Sequence, residues 1–266
     1  ETVLKQADAR LTGAVRLQAL EDGWGDINLD YYPIHVDLLP YKPATRIRFE
    51  PEELLEYFRL SITGDTFIDT SVCEFSLYDK ATEGAIWNSK CAESAVIHID
   101  MKVSWLPSKL NNPDDGSVIC SRHEATLFRF STVKTLADNL HPVNGNREFG
   151  VWTRPGAAVS TAPVHAVTRI NLPQYVFYTR GADRVTDLDN HIMNRAVFGG
   201  GHELWSSLQR KFSQFVSRNG GLTEKKLWNI SQRHDWKLIR KKYFDVAQKA
   251  VGGAAAAAAE ALEQFR

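Results

Sequence analysis

With 266 residues, 43% of them hydrophobic, the chain has the length and apolar content to bury a sizeable core. No run approaches the roughly 18 to 20 uncharged apolar residues of a membrane-spanning helix, and the opening residues are too charged for a signal sequence. Thirty-two Lys and Arg balance thirty-two Asp and Glu, but residues 205–250 hold 11 basic against 3 acidic groups while residues 1–204 hold 20 against 27.

Whole-chain neutrality therefore hides an acidic body and a basic C-terminal segment. Such asymmetry fits an end that engages phosphate, an anionic membrane surface or an acidic protein, or basic helices that dock on the acidic body. Cys73, Cys91 and Cys120 form neither a CxxC pair nor an even framework, and they read as reduced thiols of a cytoplasmic protein.

Leu4, Ala7, Leu11, Ala14 and Val15 recur at helical spacing and predict a helix over residues 2–21, ended by Gly23-Trp24-Gly25. Ile34, Val36 and Leu38 alternate with polar residues, as do Thr45, Ile47 and Phe49, which predicts two strands. Pro51 and the acidic residues after it open a short helix to Phe58. Cys73, Phe75 and Leu77 alternate with Glu74, Ser76 and Tyr78.

The clearest strand signal is residues 95–105, where Ile97, Ile99, Met101, Val103 and Trp105 alternate with His98, Asp100, Lys102 and Ser104. One face of that strand is expected in the core and the other in water, which favours an antiparallel sheet. Further strands are expected at residues 118–121, 125–130, 166–172 and 174–179, with a turn at residues 111–116 and a longer loop at 141–156.

The last quarter returns to helix. Leu204, Trp205, Leu208, Phe212 and Phe215 form one apolar stripe, stopped by Asn219-Gly220-Gly221. Thr223 reads as the N-cap of a second helix with Leu222 and Leu227 as a hydrophobic staple, and a third helix is expected after Asp235, burying Trp236, Ile239, Tyr243, Val246 and Ala250. The elements add up to an α+β protein with an antiparallel β-sandwich or jelly-roll-like core. Its divisions are an N-terminal helix and linker (1–30), a β-rich core (31–182) and a helical, basic segment (183–266).

Two groups of residues carry candidate chemistry. Arg210, Lys211, Lys225, Lys226, Arg233, Lys237, Arg240, Lys241 and Lys242 lie among Trp228, Trp236, Tyr243 and Phe244. Cations neutralise phosphate and aromatic rings stack on unpaired bases, so this segment is the candidate contact for single-stranded nucleic acid or an anionic membrane surface. Asp183, Asp187, Asp189, His191, Gly199-Gly200-Gly201, His202 and Glu203 form the other group, whose carboxylates and imidazoles would suit a divalent metal in a hydrolase. Their spacing matches no HExxH, HxH or EF-hand pattern, so neither a metal nor a cofactor is expected.

The stretch Thr70–Lys80, with Leu77-Tyr78-Asp79-Lys80 at its end and Gly145 sixty-six residues after Asp79, resembles the thirty-kilodalton superfamily of plant-virus movement proteins across residues 60–180. The resemblance implies a jelly-roll-like core, cooperative binding of single-stranded nucleic acid by a homo-oligomer, and action at the host cell periphery without catalysis. It also implies that Leu77, Asp79 and Gly145 are structural. A viral capsid or matrix-like assembly protein would suit the same architecture.

Overall fold

The computed structural model describes residues 2–11, 15–102, 115–138, 140–154, 175–186 and 191–244, with the side chains of residues 191–196 and 243–244 left aside. Helix α1 (Thr2–Arg10) and the short strand β1 (Arg16–Leu17) lead into β2 (Trp24–Leu38), and α2 (Pro51–Leu60) follows. Next come β3 (Cys73–Leu77), α3 (Lys80–Trp87), β4 (Val96–Met101), β5 (Gly116–Glu124), β6 (Leu127–Lys134), β7 (Val143–Thr153) and β8 (Tyr175–Val185). The chain then forms the long helix α4 (His191–Arg218), β9 (Leu222–Thr223), β10 (Ile230–His234), α5 (Trp236–Ile239) and a π turn (Arg240–Phe244).

The class is α+β, and the strands share one antiparallel sheet in the order β10-β2-β8-β7-β6-β5-β4-β3, with β1 added to β6 and β9 to β2. From β3 to β8 each strand pairs with its neighbour in sequence, and β2 pairs with β8 from Trp24–Val185 to Val36–Tyr175. The sheet therefore begins at Trp24 and takes in β10, so sheet residues also lie in the segments read as an N-terminal linker and a helical C-terminus.

One face of the sheet, here the inner face, is covered by α2 and α4. Phe58, Phe67, Phe128, Phe149, Phe177 and Phe212 meet there with neighbouring ring centroids 4.7–5.9 Å apart. Leu204, Trp205, Leu208, Phe212 and Phe215 bury one stripe of α4 in that cluster, as their spacing predicts. The outer face of β4–β6 is covered by α1, where Ala7, Val15, Val96, Ile119 and Val133 form a second small core.

The strands with clean alternation fall where expected. Strands β3 and β4 pair antiparallel, with Leu77 opposite Ile97 and Phe75 opposite Ile99; Ile97 and Ile99 are buried and Met101 is partly buried. Val103 and Trp105, like residues 166–172 and most of the predicted 111–116 turn, lie outside the described residues. The opposite face of β4 is not simply open to water: α1 covers Val96, and His98 Nδ1 shares a 2.9 Å hydrogen bond with Asp138.

Five expectations need correction. Helix α1 stops at Arg10, because Arg16 and Leu17 pair with β6 and Gln18 reaches His141, Asn144 and Thr186 instead of continuing a helix. Residues 45–49 make only a bridge between Tyr41 and Arg48, leaving Ile47 exposed. The predicted loop at 141–156 is largely β7, whose polar residues find partners on neighbouring strands. Gly199, Gly200 and Gly201 sit inside α4 rather than before a helix. Finally, no helix starts at Thr223; Leu222 and Thr223 pair with β2, and residues 230–234 form the edge strand β10. Asp235 does cap a helix, its Oδ1 accepting from the amides of Lys237 (2.7 Å) and Leu238 (3.3 Å), and Trp236 is buried.

Candidate ligand cleft and basic sheet edge

Alternation on β2 sends Asn28, Asp30 and Tyr32 to the inner face, while Arg147 on β7 and Asp183 on β8 arrive at the same place from strands paired next to it. Asp183 lies opposite Asn28, and Gly181 lies between Asp30 and Arg147. The missing side chain at 181 makes the arrangement possible: a Cβ there would sit 2.3 Å from the Arg147 guanidinium. The guanidinium lies across that gap, holding both oxygens of Asp30 and, through Nη2, the Oδ2 of Asp183 at 2.8 Å. Asn28 Nδ2 donates to Asp30 at 3.1 Å, and Ser231 on β10 donates to Asn28 at 3.2 Å.

From α4, Trp205 covers the guanidinium with its ring centroid 4.5 Å from Cζ, and His202 Nδ1 shares a 3.0 Å hydrogen bond with the Tyr32 hydroxyl. Beside this polar floor is a cavity of about 100 Å³, with Ile99, Met101, Val118 and Phe130 of the sheet on one side and Val197 and Phe198 of α4 on the other. Apolar walls with a few convergent polar groups are the usual build of a small-molecule site.

Burial governs the electrostatics. Removal from water pushes Asp183 up to about 7, against the pull of Arg147 and with a further push from Asp30. Desolvation likewise raises Tyr32 above its ordinary value, with the Asp30 charge adding to it. The Arg147 guanidinium is held firmly protonated: burial works against its charge, but Asp30 and Asp183 outweigh that.

Asp183 and His202 are thus brought to one cleft, while Asp187 and Asp189 lie outside the described residues, as does the side chain of His191. Glu203 is exposed. Among the described residues no three His, Cys, Asp or Glu side chains are placed to hold a metal ion. The partners that complete the site, Asp30, Tyr32 and Arg147, were not singled out in the sequence. The signal that points to them is a Gly inside each of two strands, at 145 and 181, where chains or side chains pass closely.

The basic residues divide. Lys211 is engaged, donating to the backbone carbonyls of Asp65 (2.8 Å) and Ile68 (2.7 Å) and so tying α4 to the turn after α2; Arg210 is exposed on the same helix. Lys225 and Lys226 lie in the β9–β10 connection, Arg233 on β10, and Lys237, Arg240, Lys241 and Lys242 after it, all exposed. Lys225, Lys226 and Arg233 are thus carried by the edge strand and its connection rather than by a helix, while Lys237 lies on the expected helix after Asp235 and Arg240, Lys241 and Lys242 on the π turn. Arg233 also lies over the Phe198 ring at 4.6 Å.

Next to this edge the outer face carries exposed aromatics. Trp228 and Trp152 are 40% and 43% exposed, and the Tyr31 ring lies 6.0 Å from Trp228 and 5.9 Å from Tyr178. Arg180 flanks Tyr178 and, with Arg129, covers the buried carboxylate of Glu148.

The family-motif residues have plain structural tasks. Leu77 ends β3 against the core, and Asp79 caps α3 by accepting from the amides of Ala81 (2.7 Å) and Thr82 (3.2 Å). Gly145 is pressed against β8, where a Cβ would meet Ala182 O at 2.2 Å. Cys73 and Cys120 are buried, burial pushing Cys120 up to about 12, and Cys91 is exposed. Among the described residues no helix is long and apolar enough to cross a membrane. Searches of the sequence found no family model and no curated protein that matches it.

Proposed function

We propose that the protein is a non-catalytic binding protein that holds a small molecule between the inner face of the sheet and the first half of α4. The observation that carries this reading is the cavity of about 100 Å³ with apolar walls over a buried Asp30–Arg147–Asp183 floor. A cavity of about 150 Å³ takes benzene, so the ligand, or the part of it held here, has about four or five non-hydrogen atoms. The test is a titration with small organic fragments, followed on the methyl resonances of Met101, Val118 and Val197 and the indole of Trp205. Saturable shifts confined to these four groups support the reading; fragments that shift only the sheet's outer face sink it.

A second reading, contact with single-stranded nucleic acid, is favoured by the exposed cations along β10 and its flanks beside Trp228, Tyr31 and Tyr178. Lysines there would neutralise phosphates while rings on the outer face stack on bases. The movement-protein resemblance belongs with it, as do a viral origin, a homo-oligomeric assembly, a cytoplasmic site of action and a jelly-roll-like core. The large antiparallel sheet and the structural tasks of Asp79 and Gly145 support it.

The logarithm of affinity for single-stranded RNA should then fall with the logarithm of salt by about 0.7 per phosphate neutralised. Replacing Lys225, Lys226, Lys237 and Lys241 with Gln should flatten that slope. Binding to anionic vesicles without RNA binding would move the edge to a membrane role, and binding to neither removes this second reading.

A further inference from the structure

We infer that the ligand of the cleft is a small organic cation, an alkylammonium or amidinium group set against Asp183 and Asp30. The inference rests on the reading of the cleft as a ligand site and adds the ligand's charge. Three charged side chains form the buried floor, and they do not balance: Asp30 and Asp183 face one guanidinium, and all three side chains are at most 11% exposed. With every group ionised the floor carries one excess negative charge, in a place where water screens it poorly.

The one cation of the floor is already committed to the carboxylates. Both terminal nitrogens of Arg147 are held by the two carboxylates, and the Asn28 amide donates to Asp30. An anionic ligand would meet two carboxylates and a single guanidinium, a net repulsion. A cation meets the two carboxylates as acceptors, with the Tyr32–His202 pair on the α4 side of the cleft.

The aromatic lining agrees with a positive guest. Trp205 and Phe198 are the rings that α4 contributes to the cavity, and each already carries a guanidinium over one face, Arg147 at 4.5 Å and Arg233 at 4.6 Å. Arg233 is exposed on the edge strand, where water screens its charge, so it offsets the buried excess weakly. Burial also pushes Asp183 up to about 7. Near neutral pH a proton takes up part of the excess charge, and a bound cation replaces that proton.

Three probes of about four non-hydrogen atoms, the size the cavity allows, separate charge from shape: isopropylamine, 2-propanol and acetate, titrated at pH 7.5 and followed on the Trp205 indole and the Met101 and Val118 methyls. Isopropylammonium is expected to bind about tenfold or more tightly than 2-propanol, with acetate producing no shift. Asp183→Asn leaves Arg147 balanced by Asp30 and should bring amine and alcohol to equal affinity. The ranking of the three probes on the wild type tests the inference by itself if Asp183→Asn does not fold. An alcohol that binds as tightly as the amine overturns the inference and leaves the cleft as a site for neutral ligands. Acetate binding overturns it outright. If no probe shifts these groups, the cleft reading falls together with the inference.

Discussion

Three consecutive glycines inside α4 offer a perturbation whose size follows from the structure. Glycine in a helix interior costs about 0.8–1.0 kcal/mol relative to alanine, partly because it leaves the unfolded chain more freedom. Such glycines are often kept because something packs against the backbone, but a Cβ at Gly199, Gly200 or Gly201 meets nothing within 4 Å. Each Gly→Ala change should therefore stabilise the protein by about 0.8–1.0 kcal/mol, and the triple variant by about 2–3 kcal/mol. At about 2–4 °C per kcal/mol for a chain of this size class, the triple variant should melt about 5–10 °C higher.

The three positions differ in what else they do. Gly199 and Gly200 are exposed, whereas Gly201 lines the cavity of about 100 Å³. Gly199→Ala and Gly200→Ala should leave fragment binding unchanged, while Gly201→Ala should weaken it as its methyl takes part of the space. Urea unfolding of the single variants, paired with fragment titration, measures both effects. A loss of stability at any of the three positions would contradict the reasoning, since it would mean that the backbone there is closely covered.

Five further outcomes follow from named groups. Arg147→Met leaves Asp30 and Asp183 facing each other without a cation and should cost about 3–5 kcal/mol at neutral pH, less at acid pH where the carboxylates protonate; unfolding at two pH values checks it. Gly145→Ala drives a methyl into the β8 backbone and should destabilise by about 1–3 kcal/mol or more, whereas Asp79→Ala, which removes the α3 cap, should cost about 1 kcal/mol. His141 is buried and held neutral, its ring against Gly116, and burial pushes it down to about 4. Below about 6.5 the unfolded chain takes up a proton that the folded protein refuses, so His141 makes stability fall as pH drops from 6.5 towards 4, and His141→Gln should flatten that part of the profile. Asp183 has the opposite sign: raised to about 7, it makes stability fall as pH rises from about 4 to 7, and Asp183→Asn should remove that slope.

How much of the fold could be read in advance depended on where each segment's partners lie. Strands β3 and β4 bury one face of alternating side chains, so the period of two was visible in residues 73–77 and 96–101 alone. The stripe of α4 was equally visible. Strand β7 was hidden because its inward residues include Gly145 and Arg147, and Asn144 and Glu148 beside them are polar; only Gln18, Asp30, Asp183, Arg129 and Arg180 on distant segments make those residues tolerable inside. Strand β10 is an edge, exposed on nearly every residue, and carries no alternation to read.

The cleft failed to appear for the same reason. Arg147 and Asp30 are 117 residues apart and Tyr32 and His202 are 170 apart, so the local cluster around Asp183 and His202 was legible as carboxylates and imidazoles without a metal-binding spacing, and the guanidinium that the sheet supplies was not. The basic segment was visible as composition, but its placement along a sheet edge depended on β10 pairing with β2.

The cleft is most directly tested by filling it. Gly201→Leu projects a side chain into the cavity from α4, where nothing lies within 4 Å of the new Cβ, and the helix gains a residue that favours it over glycine. Calorimetric titration of isopropylamine into the wild type and into Gly201→Leu, with melting curves to establish that the variant is folded, should give saturable binding to the first and none to the second. Equal binding by both proteins would place the ligand elsewhere and contradict the assignment of the cleft as the functional site.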